Sequence, residues 1–337
     1  MISYRKVVIT APEVVELQTA ELDETALKPN ELLIKKYYSL ISAGTETACR
    51  SGKELWFKLP GVPGYSGVGE VVAAGKQAKR FQIGDIVYYK GKHCEYEVVS
   101  EDDLVIKIPD GTPLEYVPFV RMAAISSSAI RASNIEFGDD VAVIGQGLIG
   151  LTAMMEAKMQ GARVIAVDPS EKRLAIAKQC GADETLNPNT VNVKEVIEQL
   201  TEKRMVTTLI DATGSSKVVC ENIGNIAWGG ELILLGSPRK PYEANVTELL
   251  QHIHQFRFNV EVKGAHEMRY PLMGGNKFVK HSTERTSRIL IEKLRDGSFP
   301  VKPLLTQKVR PEDAAEVYAR IAAGDEEYLG VIFDWTK

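Results

Sequence analysis

The chain has 337 residues, 44% hydrophobic and 26% charged, the composition of a folded globular protein with room for two domains. Its net charge of −4 excludes the basic footprint of a nucleic-acid binder. The longest apolar tract, VAVIGQGLIGLTAMM, is too short to span a bilayer, no basic-then-apolar leader is visible, and Cys49, Cys94, Cys180 and Cys220 share no CxxC, which argues against a spanning helix and a disulfide framework and makes a reducing cytoplasm the default expectation.

Residues 1 to about 118 read as short strands and turns. KVVIT, ELLIKKYYSLIS, GVGEVVAAG, DIVYYK and YEVVS are each cut short by Gly, Pro or Asp, as in a curled all-β region. PLEYVPFVRMAAISSSAIRAS, at 113–133, turns helical. From 140 onward the pattern alternates: VAVIG as a buried strand, LIGLTAMMEAKMQG as a helix stopped by Gly161, RVIAVD as a strand and SEKRLAIAKQCG as a helix. TTLIDATG and GELILLG follow as strands with a helix between them, and VEVKG closes the series. Strands alternating with helices predict parallel βαβ units, and their apolar runs predict burial on both faces. The tail from about 267 holds a basic loop, a helix beginning near Ser282 and a last strand, GVIFDW.

The turn after the first of these buried strands carries G-x-G-x-x-G as Gly145, Gly147 and Gly150. Alone the pattern is weak. Here it leaves a strand and opens a helix, and the next strand ends in Asp168, 23 positions after Gly145. In that context Gly145 allows the tight turn, Gly147 lets a pyrophosphate approach the amides of Leu148 and Ile149 at the helix start, and Gly150 lets helix and strand pack closely. Asp168 would accept hydrogen bonds from ribose hydroxyls and repel a 2′-phosphate, which predicts NAD as the coenzyme. Arg173, five residues on, is positioned in sequence to turn toward a phosphate instead.

GVPGYSGVGEVVAAG, RFQIGDIVYY, CEYEVV, GQGLIG, GADETLN and DATG together resemble the medium-chain dehydrogenase/reductase family over essentially the whole chain. The resemblance implies a GroES-like β-rich catalytic domain at 1–119, a Rossmann doubly wound parallel sheet at 120–265 and a return segment, 266–337, that completes the catalytic domain. It places Ala212 and Thr213 of DATG, Gly236 and Ser237 after the GELIL strand, and His266 of GAH at the coenzyme. It also implies pairing of subunits through the last Rossmann strand, hence a homodimer or homotetramer. Zinc-dependent members carry Cys-Gly-Thr-Asp in one loop and Gly-His-Glu in another. This chain reads Ala43-Gly44-Thr45-Glu46 and Gly64-Tyr65-Ser66, has RMAAISSS near the third ligand, and lacks the four-cysteine zinc lobe. Zinc takes about four N, S or acidic O ligands, and Glu46 alone cannot hold it. The expectation is a zinc-less member.

Without a metal to polarise the alcohol, side chains must move its proton. Thr45 stands where the family's Ser or Thr contacts the substrate hydroxyl, and His93 stands in the loop before EYEVV. The expectation is that His93 is the base, with Thr45 in the relay and Glu46, Tyr65 and Lys92 in support; Lys90 and Arg121 are further candidates, and Lys90 or Lys92 is the rival base. Each residue has a blander reading: Tyr65 packed with its hydroxyl bonded, the lysines solvated, Arg121 pairing structurally, His93 a bonded loop histidine, Glu46 orienting a turn. A polar set of this kind suits a secondary alcohol of a polyol, sugar or cyclitol. His266, Arg269, Lys277, Lys280, His281 and Arg285 make the most basic stretch, read either as a surface loop or as recruitment of an anionic substrate. Two other readings stay open: an NAD(P)H-dependent quinone or enoyl reductase, and a non-catalytic NAD-binding redox sensor or structural protein.

Overall fold

The structure, a computed structural model, describes residues 1–274 and 279–337. It divides into two compact units, Met1–Arg121 with Leu272–Lys337, and Met122–Pro271. The chain leaves the second unit later than the expected 266. Ala265 N–H donates to the Leu234 carbonyl at 2.9 Å and Arg269 Nη1 to the Gly264 carbonyl at 3.0 Å, which ties the turn after the last parallel strand to its own sheet.

The first unit opens with the antiparallel hairpin β1 (Ile2–Ala11) and β2 (Val14–Leu22). β3 (Glu31–Leu40) follows, then α1 (Ala43–Arg50), β4 (Gly67–Ala74), β5 (Ile86–Tyr89), β6 (Tyr96–Ser100) and β7 (Val105–Lys107). Helix α1 is where the sequence reading ran on as turn; its Glu46 and Cys49, one turn apart, are the buried face.

The chain enters the second unit within α2 (Val120–Ala132), which leads into β8 (Asp140–Ile144), α3 (Leu148–Met159), β9 (Arg163–Val167), α4 (Glu171–Gln179), β10 (Glu184–Leu186), α5 (Val193–Leu200), β11 (Val206–Asp211), α6 (Ser216–Asn222), β12 (Ile226–Leu234), α7 (Thr247–His254) and β13 (Glu261–Gly264). The six strands are parallel in the order β10-β9-β8-β11-β12-β13. Order reverses beside β8, so the carboxyl ends of β8 and β11 flank the switch point where this architecture binds ligands. Every residue of β8 is buried, the expected mark of a central parallel strand.

The return segment adds α8 (Thr283–Arg295), β14 (Gln307–Val309), α9 (Ala314–Ala322) and β15 (Val331–Asp334). The Ser282 hydroxyl caps α8 by accepting from Arg285 N–H at 3.1 Å. β14 and β15 extend the first unit's sheet, β14-β15-β3-β4-β5-β7, with β6 also on β3. Val7, Ile9, Ile41, Val317, Tyr318, Val331, Phe333 and Trp335 form one core there, drawn from both ends of the chain. No helix among the described residues is long and apolar enough to cross a membrane.

Candidate active site

In the second unit the three glycines do different work. Gly145 has φ +90°, in the left-handed region, and a Cβ there would lie 2.7 Å from Thr213 Cγ2. Gly150 is the tightest: a Cβ would stand 1.7 Å from the Gly145 carbonyl oxygen, so the first turn of α3 rests on the end of β8. Gly147, at the start of α3, would meet nothing within 4 Å, and no side chain caps the helix. Open space before uncapped amides at a helix N-terminus is what a pyrophosphate needs.

Asp168 is buried and braces this turn. Its Oδ2 accepts from Gln146 N–H at 2.7 Å and its Oδ1 from Ser170 N–H at 2.9 Å. Arg173 Nη1 lies 3.8 Å from Oδ2. Each oxygen keeps acceptor capacity for a further donor. Ala212 N–H donates to the Ile144 carbonyl at 2.9 Å, and Gly236 N–H to the Asp211 carbonyl at 2.8 Å. Thr213 donates to Asp211 Oδ1 through its hydroxyl at 2.6 Å and its amide at 3.0 Å. Burial raises the Asp211 carboxyl, and the bonds from Thr213 and Gly214 pull it back. The Ser237 carbonyl approaches so closely that a Cβ on Gly214 would stand 2.4 Å from it. Gly145, Gly147, Gly150, Ala212, Thr213, Gly236 and Ser237 thus gather at the strand ends, with Leu148 buried and Ile149 half-buried at the head of α3. His266 is exposed and caps its own short turn, its Nδ1 accepting from Met268 N–H at 3.2 Å.

In the first unit Glu46, on α1, is spent on both oxygens. Oε1 accepts from Ser42 N–H at 2.8 Å; Oε2 lies 2.9 Å from His93 Nε2 and accepts from the Tyr318 hydroxyl. His93 is 0% exposed. Its Nδ1 lies 2.8 Å from Ser39 Oγ, which also accepts from Trp335 Nε1 at 2.9 Å. A neutral imidazole with hydrogen on Nε2 satisfies every member of this network. Phe333 meets the ring edge-on at 5.0 Å, and a Cβ on Gly64 would fall 2.9 Å from it. The histidine expected as a base is a packed residue with both nitrogens engaged, so Gly64 serves the approach of its ring.

Tyr65 is only partly buried. Its hydroxyl donates to Ser42 Oγ and shares a hydrogen bond with the Thr45 side chain. The Arg121 guanidinium, on a residue 2% exposed, lies 5.3 Å from the centre of its ring. Burial pushes the Tyr65 phenol up, while Ser42 and Thr45 pull it down; Glu46 then raises it and Arg121 lowers it. Thr45, Tyr65 and Arg121 are brought together; Lys90 and Lys92 are exposed. Lys92 takes part through its backbone, its N–H donating to Glu97 Oε2 at 3.0 Å and its carbonyl accepting from Lys36 Nζ. Lys36 is the buried lysine that sequence reasoning missed. It pairs with Glu97 at 3.1 Å, and its only signal was a charge inside the apolar strand ELLIKKYYSL.

These residues do not fit zinc. Ala43 has no ligand atom, Ser66 Oγ donates to the Pro118 carbonyl at 2.6 Å, and Ser127 Oγ of RMAAISSS donates to Glu156 at 2.7 Å. Among the described residues no three His, Cys, Asp or Glu side chains are grouped to hold a metal. Of the basic stretch, Arg269, Lys280 and Arg285 are exposed, and Lys277 lies outside the described residues.

Residues 28–119 match the model of an alcohol dehydrogenase GroES-like domain, and residues 149–269 that of a zinc-binding dehydrogenase. D-guloside 3-dehydrogenase of Escherichia coli is 28% identical over 254 residues, covering 68% of this chain and 72% of that protein. L-idonate 5-dehydrogenase of Vitis vinifera is 27% identical over 236 residues, 68% of this chain and 58% of that protein. The crystal structure of galactitol-1-phosphate dehydrogenase from Escherichia coli superposes with TM-score 0.84 at 19% identity, covering 98% of this chain and 99% of that one.

Proposed function

The chain belongs to the medium-chain dehydrogenase/reductase family, as an alcohol dehydrogenase, and from that premise we propose that it is a zinc-independent, NAD-linked dehydrogenase. Its substrate is a secondary alcohol of a polyol, sugar or cyclitol, which it oxidises to the ketone. The observation that carries the metal-free reading is the fate of the ligand positions. Ala43, Tyr65 and Ser66 replace ligands, and both oxygens of Glu46 are committed to Ser42, His93 and Tyr318. Sugar-acting relatives support the substrate class.

When bound, the nicotinamide coenzyme supplies hydride acceptance. The amides of Gly147, Leu148 and Ile149 would hold its pyrophosphate, Asp168 its ribose hydroxyls, and Ala212, Thr213, Gly236 and Ser237 its nicotinamide side. The substrate hydroxyl is handled by the Thr45 and Tyr65 hydroxyls, and the buried Glu46–His93 pair fixes α1 beneath them. Exposed Arg269, Lys280 and Arg285 favour an anionic alcohol. Two copies would pair along β13, an edge strand of the parallel sheet.

A screen of metal-stripped protein with NAD and NADP against D-glucitol, cyclitols, aminocyclitols and sugar acids tests this. Reduction of NAD by at least one cyclic or sugar alcohol is expected. Turnover confined to quinones or enoyl substrates, or none with any alcohol, overturns it.

A further inference from the structure

Building on the metal-free alcohol dehydrogenase reading, we propose that the Tyr65 phenol takes the proton of the substrate hydroxyl in oxidation and returns it to the carbonyl oxygen in reduction. The Arg121 guanidinium supplies beside it the positive charge that a metal supplies in zinc-bearing relatives.

Access decides between the candidates first. A general base must come within hydrogen-bond reach of the proton it takes. His93 is 0% exposed, and its two nitrogens are held by Glu46 and Ser39. Its role is positioning: it fixes the Glu46 carboxylate, which in turn accepts from Ser42 N–H, and Ser42 Oγ accepts the Tyr65 hydroxyl. Tyr65 is partly exposed and sits at the end of that chain of contacts.

The surroundings suit a phenol that cycles between its two states. Ser42 and Thr45 carry rotatable hydroxyls, able to accept from the phenol and to donate to the phenolate. Arg121 lies 5.3 Å from the ring centre, with its guanidinium removed from bulk water. A cation near an aromatic face is stabilising, more so when desolvated, and a nearby positive charge favours the anion. Glu46, the other charged group facing this phenol, opposes ionisation, and its bonds to His93 and Tyr318 hold it back from the hydroxyl.

The step balances. The substrate O–H bond breaks and its proton passes to the phenolate oxygen. The electron pair of the carbinol C–H bond leaves as hydride to the coenzyme, and the C=O bond forms. Tyr65, now neutral, returns its proton to solvent. In reduction the phenol donates to the carbonyl oxygen as the coenzyme gives hydride.

A phenol held above its ordinary value by burial makes oxidation climb with pH well past neutrality. A histidine base would instead level off above its ordinary value of about 6.5. The test is the pH dependence of kcat for oxidation of D-glucitol or myo-inositol, whichever the wild type turns over. It is paired with ultraviolet titration of tyrosinate in the coenzyme-free protein, read as wild type minus Tyr65→Phe. Tyr65→Phe is expected to lose on the order of 10²-fold in kcat together with the alkaline rise. Arg121→Met should move both the rise and the tyrosinate midpoint upward by about one pH unit or more. His93→Asn should keep the alkaline rise. A rise that survives in Tyr65→Phe, one that disappears in His93→Asn, or a Tyr65 midpoint indifferent to Arg121→Met overturns the proposal. Absence of turnover by the wild type overturns instead the reading beneath it, and the spectral titration still decides the Tyr65–Arg121 coupling.

Discussion

Asp168 holds two backbone amides and, in the proposed function, also faces the coenzyme ribose, so its substitutions must separate the two roles. Asp168→Asn removes the charge and keeps an acceptor for only one of the two amides, Gln146 N–H on Oδ2 or Ser170 N–H on Oδ1. It is expected to narrow the preference for NAD over NADP by about tenfold, measured as calorimetric Kd for each coenzyme. Asp168→Ala should narrow it similarly but also cost about 1–3 kcal/mol of stability, because buried amides lose their acceptor. Equal wild-type affinity for both coenzymes would contradict the role given to this carboxylate. Arg173 is engaged with Asp168 at 3.8 Å, and the same variants free it to meet a 2′-phosphate.

Helix α3 is pinned at two places with opposite tolerances. At its start Gly147 has an extended backbone and open space, so Gly147→Val should leave the thermal midpoint nearly unchanged and abolish coenzyme binding. Gly150→Ala should do the reverse of sparing the fold. Its methyl would stand 1.7 Å from a carbonyl oxygen, and an overpacking cost of about 1–3 kcal/mol or more is expected in chemical denaturation. Further along, Glu156 of α3 accepts from Ser127 Oγ at 2.7 Å and Ser126 Oγ at 3.3 Å of α2. Burial pushes its carboxyl up to about 8, against the pull of those hydroxyls and of Arg131. The folded state therefore holds a proton that the unfolded chain gives up near its ordinary value of 4.5. The contribution is fully present below that value and is lost as pH rises toward about 8, at up to about 1.4 kcal/mol per pH unit. Glu156→Gln should flatten this part of the stability–pH curve and leave the variant more stable than wild type at pH 9. Parallel curves for the two proteins between pH 5 and 8 would show that Glu156 is ionised when folded.

For the molecule as a whole, elemental analysis of purified protein is expected to find well under one zinc per chain, and prolonged chelation should leave both turnover and thermal midpoint intact. One tightly held zinc, with activity lost on its removal, would contradict the metal-free reading. The alternation of strands and helices from 140, the three glycines of the turn between β8 and α3, and the spacing to Asp168 were legible in the sequence. Each depends on φ, side-chain alternation or helix start within a few residues, and such local requirements leave a local pattern. Helix α1 was not legible, because AGTETACR has no apolar stripe and its buried face is a glutamate and a cysteine. The partners of His93 and Glu46 were not legible either. Glu46 lies 47 positions from His93 and 272 from Tyr318, and Ser39 lies 296 from Trp335. By itself the sequence determined the family and the architecture. Only the tertiary structure decided that the histidine is fully enclosed and the tyrosine only partly buried, because burial is conferred by the return of β15 and α9 from the far end of the chain, and no run of neighbouring residues records it.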